Sequence, residues 1–235
     1  MFFASLPILR NVHSQVADRI GTGIVRGDIA PGDALPSEMR ICETLEVSRT
    51  VVREAIRTLT GKGLVESRAK SGTRVRPPEE WNYLDPDVLR WLSEMTDVDT
   101  YLAKLFQLRN SVEPAAAAIA ATAATQECLG RLREAFEGME SARDNEGFVV
   151  ADIAFHKEIY FATQNEFFWP IAQMFDVSLR RSFAIAAGGD HRPRGLIEHR
   201  DVLIAIERRD PVEARQKAVL LLNHSAEDLV RIRGA

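Results

Sequence analysis

Apolar residues recur at intervals of three and four along most of the second half of this chain, which is the spacing of amphipathic helices. No strand-like alternation of useful length interrupts the pattern. It predicts seven helices, near residues 86–94, 99–123, 126–143, 147–163, 166–187, 193–208 and 211–232, with turns at Asn145–Gly147, Gly188–Gly189 and Asp210–Pro211. We therefore expect this part of the chain to form an all-helical bundle.

The stretch from Pro36 to Leu59 has the same helical spacing, but in two shorter segments separated by a tight turn. The apolar positions are Ile41, Leu45 and Val47 in the first segment and the turn, and Val51, Val52, Ile56 and Leu59 in the second. Two short helices with facing apolar sides can share one small core. This is the layout of a helix-turn-helix that reads DNA.

The start of the second short helix carries candidate DNA-contact residues. Ser48 is well placed as its N-cap. Arg49, Thr50 and Arg53 then fall on the first turns, where a recognition helix meets base edges and phosphates. Arg57 lies one turn further along. Arginine suits this position because its planar fork can bind guanine or phosphate without losing its charge.

A basic hairpin is predicted directly downstream. Residues 63–68 and 72–76 alternate like two short strands around a turn that contains Lys70. Such a hairpin after a helix-turn-helix is a wing. From Ser48 to Arg76 there are eight Lys and Arg residues and two acidic residues, although the whole chain has a formal net charge of -4. A charge run is often only a solvated helix face, but this order of elements favours a nucleic-acid interface.

These segments resemble the winged-helix domain of the GntR family of bacterial transcription regulators. The matching residues are 29–38 (IAPGDALPSE), 47–59 (VSRTVVREAIRTL) and 63–66 (GLVE). The resemblance implies that the first turns of the second short helix contact DNA and that Gly72 lets the wing tip approach the minor groove. The family usually has arginine directly after the Ser-Glu pair, whereas this chain has Met39. Arg40 follows it and completes the set of candidate DNA-contact residues.

Length, composition and charge agree with two domains. The chain has 235 residues, of which 46% are hydrophobic and 27% charged, so each of two domains can bury a core. Two prolines end the wing, at positions 77 and 78. Twelve basic and eight acidic residues precede Pro78, and eighteen basic and twenty-six acidic residues follow. We predict a DNA-binding domain over 1–77, a linker and connecting helix over 78–98, and an acidic helical domain over 99–235.

The sequence also indicates a location. No apolar run is long enough to span a bilayer, and the first residues lack the charged start and long apolar core of a signal peptide. We therefore expect a cytoplasmic protein without a membrane partner. Cys42 and Cys128 are too few and too isolated for a disulfide framework or a cysteine metal site.

Three of the five histidines lie at suggestive positions of the helical domain. Asp152 and His156 are four residues apart, so a carboxylate and an imidazole share one helix face. His199 and His224 lie in two later helices, each flanked by apolar positions. One carboxylate and three imidazoles suit zinc, nickel or manganese. A histidine on an apolar helix face is also often an ordinary core residue, so the spacing alone leaves both interpretations open.

The helical domain resembles the FCD effector domain of the FadR subfamily. The resemblance rests on residues 109–114 (RNSVEP), 152–156 (DIAFH) with Asn165 downstream, 198–199 (EH) and the late His224. It implies that the aspartate and the three histidines bind a divalent metal, with zinc the first candidate, inside a cavity that also binds small carboxylates. It further implies that Arg109 holds the effector carboxylate. An ordinary ion pair with Glu113 is the alternative role of Arg109.

The segment between the predicted domains narrows the class of effector. Residues 81–91 (WNYLDPDVLRW) are similar to a segment of sugar-acid-responsive regulators of this family. By composition alone the segment is an aromatic latch followed by a helix that begins at Asp85–Pro86. The resemblance favours an aldonate or another galactonate-like sugar acid.

Together these features predict a mostly α protein, with an N-terminal winged helix-turn-helix and a C-terminal all-α bundle of FCD type. We expect a homodimer that reads a palindromic double-stranded operator and represses sugar-acid catabolism. One alternative is a metal-dependent hydrolase or isomerase, although no His-Glu-x-x-His motif, nucleophile elbow or glycine-rich phosphate loop accompanies the histidines. A second alternative is a regulator that senses the metal itself.

Overall fold

The computed structural model describes residues 12–68, 72–94, 97–186 and 192–234. The chain divides into two units, Met1–Met95 and Thr96–Ala235. The segment predicted as linker and connecting helix therefore falls largely in the first unit. The fold class predicted from the sequence is confirmed: the chain is mostly helical, with one small antiparallel sheet.

The first unit contains four α-helices, a short 3-10 turn at Pro78–Glu80 and a two-stranded sheet among its described residues. The helices are α1 (Val12–Arg26), α2 (Glu38–Leu45), α3 (Arg49–Gly61) and α4 (Pro86–Ser93), and the strands are β1 (Val65–Arg68) and β2 (Gly72–Val75). Local caps explain three of the helix starts. Ser37, Ser48 and Asp85 accept hydrogen bonds from backbone N–H groups in the first turns of α2, α3 and α4.

Helices α2 and α3 share the small core that the apolar spacing predicts. Ile41, Val52 and Ile56 are buried together, with Leu45 and Val47 packed against them. The turn between the helices needs one left-handed residue, Glu46, whose φ is 52°. The helix-turn-helix is thus held together from inside, and the polar side of α3 is left exposed.

The two strands form the predicted wing. Their register pairs Val65 with Val75 and Arg68 with Gly72. The segment before α2 lies along the other edge of β2, where Leu35 N–H donates to the Thr73 carbonyl at 2.8 Å. The wing is therefore attached to the body of the unit on the side opposite β1.

Helix α4 packs on α1 of the same unit. The Trp91 side chain is fully buried, and its Nε1 donates to Asp18 Oδ1 at 3.2 Å. The Lys62 ammonium, just after α3, lies 2.8 Å from both Asp85 Oδ1 and Asp87 Oδ2. These two aspartates lie at the start of α4, so their contacts with Lys62 hold α4 against the end of α3 within the first unit.

The second unit is all-helical in its described residues. Its helices are α5 (Val98–Ala123), α6 (Gln126–Ser141), α7 (Asn145–Ala162), α8 (Trp169–Ala186), α9 (Arg192–Glu207) and α10 (Pro211–Gly234), with a short 3-10 turn at Glu166–Phe168 before α8. Helix α5 packs on α7, α9 and α10. Ala116, Ala117, Ala120 and Ala121 of α5 are buried, as are Ala214 and Ala218 of α10. Small residues thus lie where helices pack closely.

The turn predicted at Asn145–Gly147 is wrong, because these residues form the first turn of α7. The reason is the residue before them. Asp144 caps the helix by accepting from Gly147 N–H at 2.7 Å, so a glycine that looks like a turn residue is a capped helical position. The predicted turn at Gly188–Gly189 lies outside the described residues. At Asp210–Pro211, also predicted as a turn, Pro211 is the first residue of α10, and Asp210 caps that helix by accepting from Val212 N–H and Glu213 N–H.

None of the helices described here combines the length and the apolar character needed to cross a membrane.

The contact between Gly21 and Trp91 gives a stability prediction. A Cβ on Gly21 would lie 2.5 Å from two carbons of the buried Trp91 ring. We expect Gly21→Ala to destabilise the first unit by about 1–3 kcal/mol, because the indole has to shift. Urea unfolding followed by tryptophan fluorescence measures this. Gly23→Ala is the matched control, since it lies in the same helix with its nearest atom 3.9 Å away and should be neutral or slightly stabilising. Equal losses in both variants would contradict the packing explanation.

Candidate nucleic-acid interface and metal centre

The exposed side of α3 presents the arginines that the sequence singles out. Arg49, Thr50, Arg53 and Arg57 are all exposed. They occupy the first three turns of the helix, and the Ser48 hydroxyl caps that helix by accepting from Val51 N–H at 3.4 Å. The Ser48 side chain therefore serves the helix start, and the arginines are free to point outward.

Two residues of α2 contact these arginines. Glu38 Oε2 lies 2.9 Å from Arg53 Nε, and the Arg49 guanidinium lies 3.9 Å from the Met39 sulfur. The side chains of Arg53 and Glu38 are 68% and 41% exposed, so their ion pair is weak and can be exchanged for a phosphate contact. Arg40 is also exposed on α2. These side chains form one basic surface on adjacent turns of α2 and α3.

The wing adds to the candidate interface. Gly72 has φ +76°, a left-handed conformation that favours glycine, and it begins β2 where the hairpin returns. Arg74 is exposed on this strand and donates to the Gly32 carbonyl at 2.8 Å. Lys70 lies outside the described residues. The left-handed backbone at position 72 thus explains why a glycine stands at the predicted contact.

In the second unit, Asp152, His156 and His199 come together. One ligand atom of each lies within 4.8 Å of the others, and all three residues are buried. The Asp152 Oδ1 atom lies 2.7 Å from His199 Nε2 and 3.6 Å from His156 Nε2. Oxygen and imidazole nitrogen are the donor types of zinc, nickel and manganese sites. The three residues therefore fit a divalent cation in chemistry and in spacing.

Hydrogen bonding orients the two imidazoles. His199 Nδ1 donates to the Gly195 carbonyl at 2.6 Å, which leaves its Nε2 lone pair for the cluster. On the other ring, His156 Nδ1 lies 2.8 Å from Glu113 Oε2, although the angle is not that of a good hydrogen bond. The second nitrogen of a metal-binding histidine usually faces a carbonyl or a carboxylate in this way. Both rings thus direct Nε2 toward Asp152.

Arg109 and Glu113 extend the cluster along α5. Both are buried, and Arg109 Nε lies 2.5 Å from Glu113 Oε1. The Arg109 Nη2 atom also lies 3.2 Å from His156 Nε2. The sequence left two roles open for Arg109, effector contact and pairing with Glu113. Arg109 forms the ion pair with Glu113, and its guanidinium also lies beside His156 Nε2, an atom that would bind a metal.

Two buried polar atoms of this region make no hydrogen bond to the described part of the chain. They are Arg109 Nη1 and Tyr160 Oη. Asp152 Oδ1 and His156 Nδ1 differ, since they lie 2.7 Å from His199 Nε2 and 2.8 Å from Glu113 Oε2. A buried polar group without a hydrogen bond costs about 1–3 kcal/mol, so such groups are uncommon in proteins. Their concentration around one cluster indicates a site that a ligand completes.

The pKa values follow the pairing. Burial raises the pKa of the Glu113 carboxyl, but Arg109 and His156 outweigh burial and lower it to about 2. Burial likewise opposes the charge on Asp152, yet His199 lowers the pKa of that carboxyl below its ordinary value. For His199, burial lowers the pKa and the Asp152 carboxylate more than restores it, so the pKa is raised. Both carboxylates are therefore charged at neutral pH.

His224, the fourth predicted ligand, is not part of the three-residue group in the described chain. It lies on α10, where its Nδ1 contacts Glu198 Oε1 and its side chain is 35% exposed. Glu198 is the residue before His199, so His224 is held next to α9 by a carboxylate. If Nδ1 donates to Glu198, Nε2 keeps its lone pair, and the role of His224 as a ligand stays a prediction.

Two buried residues of the site were not singled out as site residues from the sequence. Glu113 had been considered only as the partner of Arg109, but its second oxygen faces His156. Tyr160 lies four residues after His156 on α7, and burial, followed by the Glu113 charge, raises its pKa. The spacing Asp152, His156, Tyr160 is one helix face and could have indicated it.

Comparison with known families gives two matches that together span most of the chain. The profile of the bacterial regulatory proteins, gntR family, matches residues 12–75. The profile of the FCD domain matches residues 104–224. The first range covers the helix-turn-helix and the wing, and the second contains the whole buried cluster.

Individual relatives agree with these profiles. The chain is 33% identical to the galactonate operon transcriptional repressor of Escherichia coli (strain K12) over 229 residues, which cover 94% of this chain and 98% of the relative. It is 34% identical over 169 residues to YieP, a helix-turn-helix transcriptional regulator of the same organism, covering 71% of this chain and 74% of YieP. The solved structure of a GntR protein from Streptococcus agalactiae is 26% identical, with a TM-score of 0.52, covering 92% of this chain and 99% of that chain.

The buried ion pair predicts a large loss of stability. In metal-free protein we expect Glu113→Gln to destabilise the second unit by about 3–5 kcal/mol, because it leaves the Arg109 charge buried without a partner. Since the pKa of Glu113 is lowered from 4.5 to about 2, the stabilisation is complete above the ordinary pKa and is lost as the pH falls through about 2. Urea unfolding at a series of pH values measures it.

Glu127→Gln is the matched control for that variant. Glu127 also pairs with an arginine one helical turn away, Arg131, but its side chain is 84% exposed. Its loss should cost less than about 1 kcal/mol. A Glu113→Gln protein that is as stable as the control would refute the buried-charge argument.

Proposed function

Because the chain belongs to the GntR family of bacterial regulatory proteins and carries an FCD domain, we propose that it represses genes of sugar-acid catabolism and responds to a sugar acid bound in its helical unit. The chain is a transcription regulator with a DNA-binding helix-turn-helix, and not an enzyme. Its relation to a repressor named for the galactonate operon supports the choice of a sugar acid.

The DNA target in this proposal is a palindromic operator read by a homodimer. One helix-turn-helix inserts one recognition helix into the major groove, and two copies related by a twofold axis read half-sites about one DNA turn apart. The exposed arginines of α3 supply base and phosphate contacts, and the wing supplies a second contact at Gly72. Arg40, Ser48 and Lys70 remain candidate contacts at the edges of this surface.

The net charge of the buried cluster around Arg109 and Asp152 is the main support for a bound sugar acid. Arg109 contributes one positive charge, and Glu113 and Asp152 contribute one negative charge each, so with neutral imidazoles the cluster has one net negative charge. An isolated buried charge is costly. Asp152, His156 and His199 would hold a divalent cation, and His224 is the predicted fourth ligand. The cluster would then have one net positive charge, which one carboxylate neutralises.

The buried atoms without partners support the same ligand. Arg109 Nη1 and Tyr160 Oη are donors that lack an acceptor in the described chain. A sugar acid offers carboxylate and hydroxyl oxygens to both. A bound divalent cation supplies open coordination positions for further oxygens of the acid. Zinc fits the donor set well, and nickel or manganese would fit it too.

Regulation requires that the acid binds one conformation of the protein more tightly than another. In this proposal the acid draws Arg109 away from His156, which changes how α5 packs against α7 and α9. The DNA-binding units of the dimer would then be held at a spacing that does not match the operator. A coupling of about 1–3 kcal/mol between acid and DNA is sufficient for a strong response.

Arg53 provides the test of the DNA surface. We expect Arg53→Ala to weaken binding to the operator by about 1–3 kcal/mol, because it removes a fork that contacts a base or a phosphate. Fluorescence anisotropy with a labelled operator duplex measures the affinity. Arg231→Ala is the control, since its side chain is equally exposed, at 68%, but lies on α10 of the helical unit. Equal effects of the two substitutions would count against the assigned surface.

The effector site is tested by melting temperature with a panel of aldonates that includes galactonate. A ligand at one hundred times its Kd stabilises the folded protein by about 2.7 kcal/mol, so we expect one acid to raise the Tm by several degrees. The shift should vanish with chelator and in Asp152→Ala. Glu146→Gln is the control, because this exposed carboxylate lies on the first turn of the same helix and should keep the shift.

The same titration distinguishes the competing interpretation. The acid that raises the Tm should also change the affinity for the operator when the metal is present. If no acid changes either quantity and the DNA affinity follows the metal concentration alone, the protein is a metal sensor and the sugar-acid proposal fails.

A further inference from the structure

One apolar side chain stands among the charged residues of the DNA-binding surface. Met39 is the second residue of α2, and 56% of it is exposed. Its sulfur lies 3.9 Å from Arg49 Nη2, and the adjacent Glu38 lies 2.9 Å from Arg53 Nε. Met39 is therefore next to the two arginines that occupy the first turns of α3.

Met39 does not belong to the core that holds the two helices together. That core consists of Ile41, Val52 and Ile56, with other partly buried residues packed against it. A single exposed apolar residue is common on protein surfaces, so exposure alone has no meaning here. The informative feature is its place, since a surface that contacts phosphates and base edges gains nothing electrostatic from a thioether.

The major groove offers one apolar group, the C5-methyl of thymine. We propose that Met39 contacts a thymine methyl and thereby specifies one T·A base pair in each half-site of the operator. The unbranched, flexible side chain of methionine adapts to such a contact. This inference rests on the proposed DNA-reading function, because it concerns a duplex docked on the α2 and α3 surface.

The same contact allows Met39 a different role, which is to hold the Arg49 guanidinium in place without touching a base. The two roles differ in what they discriminate. A thymine contact depends on the methyl group of one base. A contact that only positions Arg49 changes affinity for every duplex, with or without that methyl group.

The experiment uses the full chain and a duplex selected by it from a random library. Each thymine of the selected duplex is replaced in turn by deoxyuridine, which removes only the methyl group, and Kd is measured by anisotropy at fixed salt. We expect one thymine in each half-site whose replacement weakens binding about fourfold, as burial of one methyl group implies. Met39→Ala should bind both duplexes equally, and Met39→Leu should keep most of the difference.

Two outcomes overturn the inference. One is a wild-type protein that tolerates deoxyuridine at every thymine, and the other is a Met39→Ala protein that keeps the full methyl preference. Both leave the regulator function intact if a specific duplex was selected. Selection of no specific duplex would overturn the DNA-reading function as well. The melting temperature of Met39→Ala should match that of wild type, since the side chain lies outside the core.

Discussion

The helical unit depends on how it compensates buried charge. Arg109, Glu113, Asp152 and His199 are nearly inaccessible to water, in a unit whose other buried side chains are mostly apolar. Removing an ion from water costs several kcal/mol even after relaxation, and only close opposite charges recover it. Helices α5, α7 and α9 must therefore meet so that Glu113 faces His156 and Asp152 faces His199. Apolar packing alone would allow these helices to shift along one another. The buried charges do not allow this, because a shifted helix would separate Glu113 from His156 and Asp152 from His199.

The DNA-binding surface has the opposite physical character. Its ion pairs are exposed, as the 68% exposure of Arg53 and 81% exposure of Arg57 show, so each contributes little to stability. That weakness suits a surface that exchanges partners. A phosphate can replace Glu38 beside Arg53 at small cost, whereas nothing can leave the Arg109 pair without a substitute of equal charge. Arginine thus lies in exposed, exchangeable ion pairs in the first unit and in a fixed, buried ion pair in the second.

The sequence predicted α2 to α10 closely, because several of these helices have strong local signals at their starts. It did not predict α1, which has no acidic residue in its first turn. Capping residues such as Ser48, Asp85 and Asp210 lie where the apolar period begins. The turn predicted at Asn145–Gly147 was wrong because Gly147, a residue type common in loops, lies in the first turn of a helix that Asp144 caps. For the cluster, the i, i+4 pair of Asp152 and His156 was visible. The residues that face each imidazole ring were not predicted, because α5 and α7 are buried on several sides. For such helices the apolar periodicity does not specify which helices contact each other.

His224 shows the limit of a ligand list that rests on residue type. Sequence resemblance placed it with the other histidines, and the structure adds a carboxylate neighbour, Glu198, that the list did not contain. A contact of this kind depends on how α9 and α10 pack against each other, which the local sequence signals of the two helices do not specify. Residue type therefore predicts which groups are available, and packing decides which nitrogen is free.

Charge balance also links the occupants of the proposed effector site to one another. A divalent cation bound by Asp152 and His199 competes with a proton for the same atoms, because the Asp152 carboxylate raises the pKa of His199. An acid that binds only to the metal-loaded cluster must in turn raise the affinity for the metal by the same factor, since coupling between two ligands is reciprocal. At a constant metal concentration the acid alone then sets the population of the loaded state. The metal can thus be essential to the site without being the signal, and this distinction follows from the charges of Arg109, Glu113 and Asp152.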